Sequence, residues 1–219
     1  RFLGPDKAKA LNALVDDFEK FLQFNYPNVE NENDRIKHFL QAFLDQKEHE
    51  LNWLVNPNRQ KVVLEMLEQS ELRKELWFFG YESDSLTKSY DVNAEIRFGS
   101  DASEIHVIDT LDSIVIEDIE EVILPFDANE DYETKVKKRR ESLLFFNLKG
   151  QFLYGLAKFA KRDTVIFNYL EAANEAGQIH PDLIAGGLLT NDVNFSAPML
   201  KRLIVVHLYF PNRKWYYDN

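Results

Sequence analysis

Leu11, Leu14, Val15, Phe18, Phe21 and Leu22 fall on one face of a wheel turned by about 100° per residue. Lys9, Asp16 and Lys20 lie opposite. The spacing predicts an amphipathic helix over 6–26, opened by Pro5 and Asp6 and stopped by Pro27. A stripe of this kind is stable only against other packed elements, so it commits the chain to helix packing.

The same period recurs. Ile36, Phe39, Leu40, Phe43, Leu44, Leu51 and Leu54 predict a second helix over 34–55. Val62, Val63, Met66 and Leu67 mark a third, and Ser70 caps a short fourth that ends near Gly80. Residues 130–161 read as one long helix or two, with Phe145, Leu148, Phe152, Leu156 and Phe159 facing the core. Asp163 caps a helix over Thr164–Ala176 that Gly177 ends. Pro181 opens another to about Leu189. A last helix starts near Ser196 and Pro198; its apolar run, Leu203 to Phe210, also fits a buried strand. The tail from Pro211 to Asn219 is polar and aromatic.

Alternation breaks this pattern once. Val92, Ala94, Ile96 and Phe98 share a strand face, and Ile105 to Ile108 suits a second strand. The stretch 111–124 is rich in Ile and Val, which favour strands. Its wheel nonetheless places Leu111, Val115, Ile116, Ile119, Val122 and Ile123 on one helical face. The expectation is a mainly α-helical, compact multi-helix bundle of roughly seven to nine helices. It carries a small irregular or two-stranded β element near residues 90–110. One domain spans 1–219, with a helical part at 1–80, an acidic mixed segment at 81–134 and a second helical part at 135–219.

Composition supports a soluble core-forming chain. Of 219 residues, 45% are hydrophobic, with 17 Phe, and there is no Cys. Disulfides, thiolate metal sites and a thiol nucleophile are therefore excluded. No stretch approaches the roughly 18 apolar residues of a membrane span. The sequence begins at Arg1, which leaves an upstream leader or lipid anchor open and the compartment unassigned.

A net charge of −11 argues against nonspecific nucleic-acid binding, which needs a basic footprint. The charge is not spread evenly. From Phe98 to Thr134, 37 residues hold 12 acids and no Lys or Arg, while the rest of the chain has 25 acids and 26 bases. Glu117, Asp118, Glu120 and Glu121 lie on the polar face of the 111–124 helix, and they are the candidate contacts for a partner with a basic surface. The plainer account is a solvated acidic face, offset by the basic run Lys135, Lys137, Lys138, Arg139 and Arg140.

Other patterns fall short of a motif. Asp127, Asn129 and Asp131 alternate like the start of a calcium loop and are candidate metal ligands. Tyr132 stands where that loop needs Gly, and Lys138 where it needs Glu, so these acids equally suit a helix N-terminus. Asp34, His38, Asp45 and His49 form two i, i+4 pairs about 16 Å apart on the predicted helix, too far to share one ion. Asp16-Asp17-Phe18-Glu19 lacks the spacing of a prenyl-diphosphate motif. His207 reads as a buried, hydrogen-bonded core histidine. Trp77-Phe78-Phe79 and Trp215-Tyr216-Tyr217 are aromatic clusters suited to core packing or to a sugar or protein contact.

These features point to a non-enzymatic interaction or scaffold protein whose acidic segment meets a basic partner, with no cofactor. Two alternatives stay open. One is an enzyme or cation-dependent protein that assembles a site from Asp109, Asp112, Asp127, Asp131, His38 and His106. The other is an extracytoplasmic glycan- or peptide-binding protein that uses the aromatic clusters.

Overall fold

A computed structural model describes residues 3–82, 95–98, 105–108, 134, 143–191 and 193–218. Among them, the chain is mainly helical. The first half gives α1 (Gly4–Asn25), α2 (Glu32–Leu44), α3 (Pro57–Gln69) and α4 (Leu72–Leu76). The second half gives α5 (Gln151–Ala160), α6 (Thr164–Ala176), α7 (Pro181–Leu189) and α8 (Pro198–Ile204). A π-helical turn, Val205–Tyr209, joins α8 without a break to α9 (Phe210–Asp218). No helix among the described residues is long and apolar enough to cross a membrane.

Local chemistry sets most helix ends. Asp163 accepts hydrogen bonds from the Val165 and Ile166 amides at 3.0 and 3.2 Å, and Gly177 closes α6 at φ 72°. Asn56 caps α3 through the Arg59 amide, with Pro57 next. The α2 helix stops at Leu44, ten residues before the apolar period does. Gln46 adopts φ 56°, its amide bonds to the Phe43 carbonyl, and the Lys47 amide reaches Ala42 O at 2.7 Å. That is a Schellman ending built without glycine, which the sequence does not announce.

The core gathers around α1. Phe18 packs edge-on to Phe39 at 5.1 Å, and Phe21 lies 4.8 Å from Trp53. Tyr209 meets Phe18 and Phe21 at 5.0 and 5.1 Å, so the π-helical turn sits against the middle of α1. Such tilted and edge-on contacts suit the quadrupoles of aromatic rings. Helix α2 packs on α7, α1 on α3, and α5 on α6.

Two antiparallel ladders interrupt the helices. The expected one pairs β2 (Glu95–Phe98) with β3 (Ile105–Ile108), Glu95 opposite Ile108. The other pairs β1 (Trp77–Phe79) with β4 (Leu144–Phe146), Trp77 opposite Phe146 and Phe79 opposite Leu144. It corrects two expectations. The fourth helix ends at Leu76 rather than near Gly80, and residues 144–146 form a strand instead of continuing a helix from 130 to 161. Three aromatic residues in a row favour a strand, but the partner that stabilises it lies 67 residues away. The tail is corrected as well, since α9 runs on to Asp218.

Candidate functional site

The β1–β4 ladder is where the chain leaves the helical body and comes back. The Gly80 amide bonds to Leu143 O at 3.0 Å, and the Asn147 amide to Leu76 O at 2.8 Å. Residues 80–143 are therefore an excursion with closely spaced ends. It contains 17 acidic and 7 basic residues, a net −10, and the two flanking parts keep 20 acidic and 19 basic residues. Nearly all of the chain's charge belongs to the excursion.

Its root is pinned by Arg73, a buried side chain on α4. Arg73 donates to Trp77 O at 3.2 Å, to Glu68 at 3.0 Å and, through both terminal nitrogens, to the Glu82 carboxylate. Glu82 also accepts from the Phe79 amide at 2.8 Å, which fastens the first turn beyond β1. Burial raises the Glu82 pKa, but the bonds from Arg73 and the Phe79 amide outweigh it and hold the carboxyl below its ordinary value. The Arg73 guanidinium lies 5.2 Å from the Phe79 ring centre, a cation–π distance.

Glu75, on the same short helix, is fully buried and ties the returning chain. It accepts from Lys7 at 3.1 Å and from the Phe152 amide at 3.3 Å. Gly150, at the start of α5, offers no side-chain cap, so a carboxylate from α4 serves that helix end. A Cβ at position 150 would stand 2.4 Å from Glu75 O, which explains the glycine.

The inner faces of β1 and β4 meet the π-helical turn. His207 lies 4.2 Å from the Phe146 ring and 5.9 Å from that of Trp77, and its Nε2 is 2.6 Å from Tyr169 Oη. Trp77 Nε1 donates to Val206 O at 2.9 Å. Burial pulls the His207 pKa down to about 3, and burial also pushes the Tyr169 phenol up. Both are neutral across the physiological range. π-helical turns often mark functional sites; this one seats the ladder.

One turn further along, Asp17 on α1 accepts from Tyr209 Oη at 2.7 Å and from Arg213 Nε at 3.4 Å. Arg59 Nε approaches its other oxygen at 3.3 Å. Arg213 donates to Val55 O at 2.6 Å, and Gln60 donates to Arg213 O at 2.9 Å. Elsewhere, Lys201 donates to Glu19 and Glu32, both at 2.6 Å, which clamps α8 to α1 and α2. Burial pulls the Lys201 pKa down, and these two bonds more than reverse the effect.

The residues singled out by sequence divide sharply. Glu117, Asp118, Glu120 and Glu121, the metal candidates Asp127, Asn129 and Asp131, the carboxylates Asp109 and Asp112, and the 111–124 helix all lie outside the described residues. His106 sits on β3 opposite Arg97. His38 stacks on Tyr26 at 5.6 Å, while Asp34 pairs with Lys37 at 3.6 Å. Asp45 accepts from Gln41, and His49 belongs to a separate 3-10 turn, Glu48–Glu50. The two Asp/His pairs are thus not formed, because α2 ends too soon. Among the described residues, no three His, Asp or Glu side chains converge as metal ligands would. Trp77 is a core residue, and His207 is buried as expected.

Sequence reasoning missed Arg73, Glu75, Glu82, Asp17 and Arg213. Only Asp17 carried a signal, since it sits at the edge of the α1 apolar arc beside Ala10 and Phe21. No protein-family model matches the chain, and neither a curated protein nor a solved structure is significantly similar to it.

Proposed function

We propose that the chain is an interaction or scaffold protein that offers its acidic segment, around residues 109–131, to a partner with a basic surface. One observation carries this reading. The chain departs from a nearly neutral helical body at Gly80 and returns at Leu143, and the stretch between holds a net −10. Charge concentrated in one excursion steers a basic partner toward that segment, whereas the same charge spread over the surface would only aid solubility. The Arg73–Glu82 bonds and the Glu75 contacts give the excursion a fixed root, so a contact made there bears on a firm base. Glu117, Asp118, Glu120 and Glu121 are the contacts we assign to the partner.

The test is affinity capture with the intact chain and with a Glu117→Gln, Glu120→Gln, Glu121→Gln chain. The partner held by the intact chain should be basic, should elute as salt rises, and should be held at least tenfold less by the triple variant. Equal capture by both chains, or release that ignores salt, overturns the reading.

A further inference from the structure

The buried polar atoms that lack a partner are not scattered. Among the described residues they are Arg59 Nε, Gln60 Oε1 and Arg213 Nη1, and all three belong to the cluster around Asp17. Gln60 and Arg213 are each 1% exposed, so bulk water does not serve them. An unpaired polar atom in such surroundings is costly.

The charge does not close either. A guanidinium stays protonated in a protein. Arg59 and Arg213 bring two positive charges, and Asp17 is the single carboxylate paired with them among the described residues. Tyr209 does not supply the missing negative charge, because burial and the Asp17 carboxylate hold its phenol protonated. The cluster thus combines a surplus positive charge, unused N–H donors on both arginines and one unused carbonyl acceptor.

We propose that this cluster binds one small oxyanion that still carries a proton, of the hydrogen phosphate or hydrogencarbonate kind, between Arg59 and Arg213. Its negative charge offsets the second guanidinium, its oxygens accept from Arg213 Nη1 and Arg59 Nε, and its hydroxyl donates to Gln60 Oε1. Chloride would balance the charge and leave the Gln60 carbonyl unpaired. Water would pair the atoms and leave the charge unbalanced. The Arg59 side chain, 29% exposed, marks the way in from solvent.

Thermal unfolding of the intact chain tests this at pH 7.4 and constant ionic strength. Potassium methanesulfonate is replaced stepwise by potassium phosphate, potassium hydrogencarbonate or potassium chloride. Phosphate or hydrogencarbonate should raise Tm along a saturating curve, by about 3–6 °C at ten times the dissociation constant. Chloride should give a smaller rise. An Arg59→Gln chain, which removes the surplus charge at the partly exposed position, should lose the anion-dependent rise. Its Tm in methanesulfonate alone should match or exceed that of the unmodified chain. An equal rise with chloride, no saturating rise with any anion, or a full response in Arg59→Gln overturns the proposal. The comparison of anions on the unmodified chain stands without any variant.

Discussion

Cutting out the excursion should make the helical body more stable. The β1–β4 ladder holds Gly80 against Leu143, so Glu82 can be joined to Leu143 by a bridge of about six Gly and Ser residues without stretching the ladder. Glu82 is kept because its carboxylate holds Arg73 and the Phe79 amide. The bridge replaces the 60 residues 83–142, roughly a tenfold shortening of the loop that folding must close. Each halving returns about 0.6 kcal/mol of closure entropy, so the body should gain about 2 kcal/mol. In a chain of about 165 residues that corresponds to a rise in Tm of about 4–8 °C. Urea unfolding followed by far-ultraviolet circular dichroism, with a parallel thermal scan, measures both quantities. A broad, non-cooperative transition, or a loss of more than about 1 kcal/mol, would show that the excursion supplies part of the core and that the entropy argument is wrong. The shortened chain should also lose the basic partner, because 16 of its 37 acidic residues are gone against 7 of its 26 basic ones.

Glu75→Ala should cost about 2–4 kcal/mol in urea unfolding, since it removes the Lys7 ion pair and the acceptor for the Phe152 amide together; a loss below about 1 kcal/mol would refute the capping role. Gly150→Ala should destabilise by at least about 1–3 kcal/mol, because its Cβ meets Glu75 O at 2.4 Å; an unchanged Tm would mean that the close approach is relaxed in solution. His207 binds a proton near pH 6.5 when unfolded and near pH 3 when folded, so the unfolded state takes up the proton first as pH falls. Its contribution is complete above about pH 6.5 and is lost progressively down to about pH 3, by on the order of 4–5 kcal/mol in total. A His207→Gln chain should show a shallower fall in stability over that window, and parallel pH profiles for the two chains would contradict the assignment. Trp77→Phe keeps a ring and removes the bond to Val206 O, for a cost of about 1 kcal/mol, read by the same denaturation assay; a loss above about 3 kcal/mol would mean that ring packing rather than the hydrogen bond dominates.

The helices were legible because their signals are local. The Asp163 cap, the Gly177 terminator, Pro181 and the stripe from Leu11 to Leu22 each act within a few residues, and those elements appear where they were expected. The errors share one feature: the deciding interaction is distant or unadvertised. Gln46 ends α2 in a conformation that usually calls for glycine, and the Asp/His pairs placed on that helix vanish with it. Trp77–Phe79 leaves helix for strand because Leu144–Phe146 comes alongside. The charge window from Phe98 to Thr134 was visible as composition, but its meaning changed once the ladder joined residues 80 and 143 and made it an excursion.

The sequence alone determined the helical class, the positions of most caps, the absence of thiol chemistry and the segment that holds the acidity. Periodicity, capping and net charge depend on neighbours in the chain, and a linear reading contains them. Tertiary structure decided which charges are buried and what they pair with. Asp17 meets Arg213 across 196 positions, and Glu75 meets the Phe152 amide across 77. A carboxylate on a helix looks the same in sequence whether it faces solvent or the core. Only packing removes the water around it and makes a partner, a guanidinium or an amide, the condition for keeping its charge.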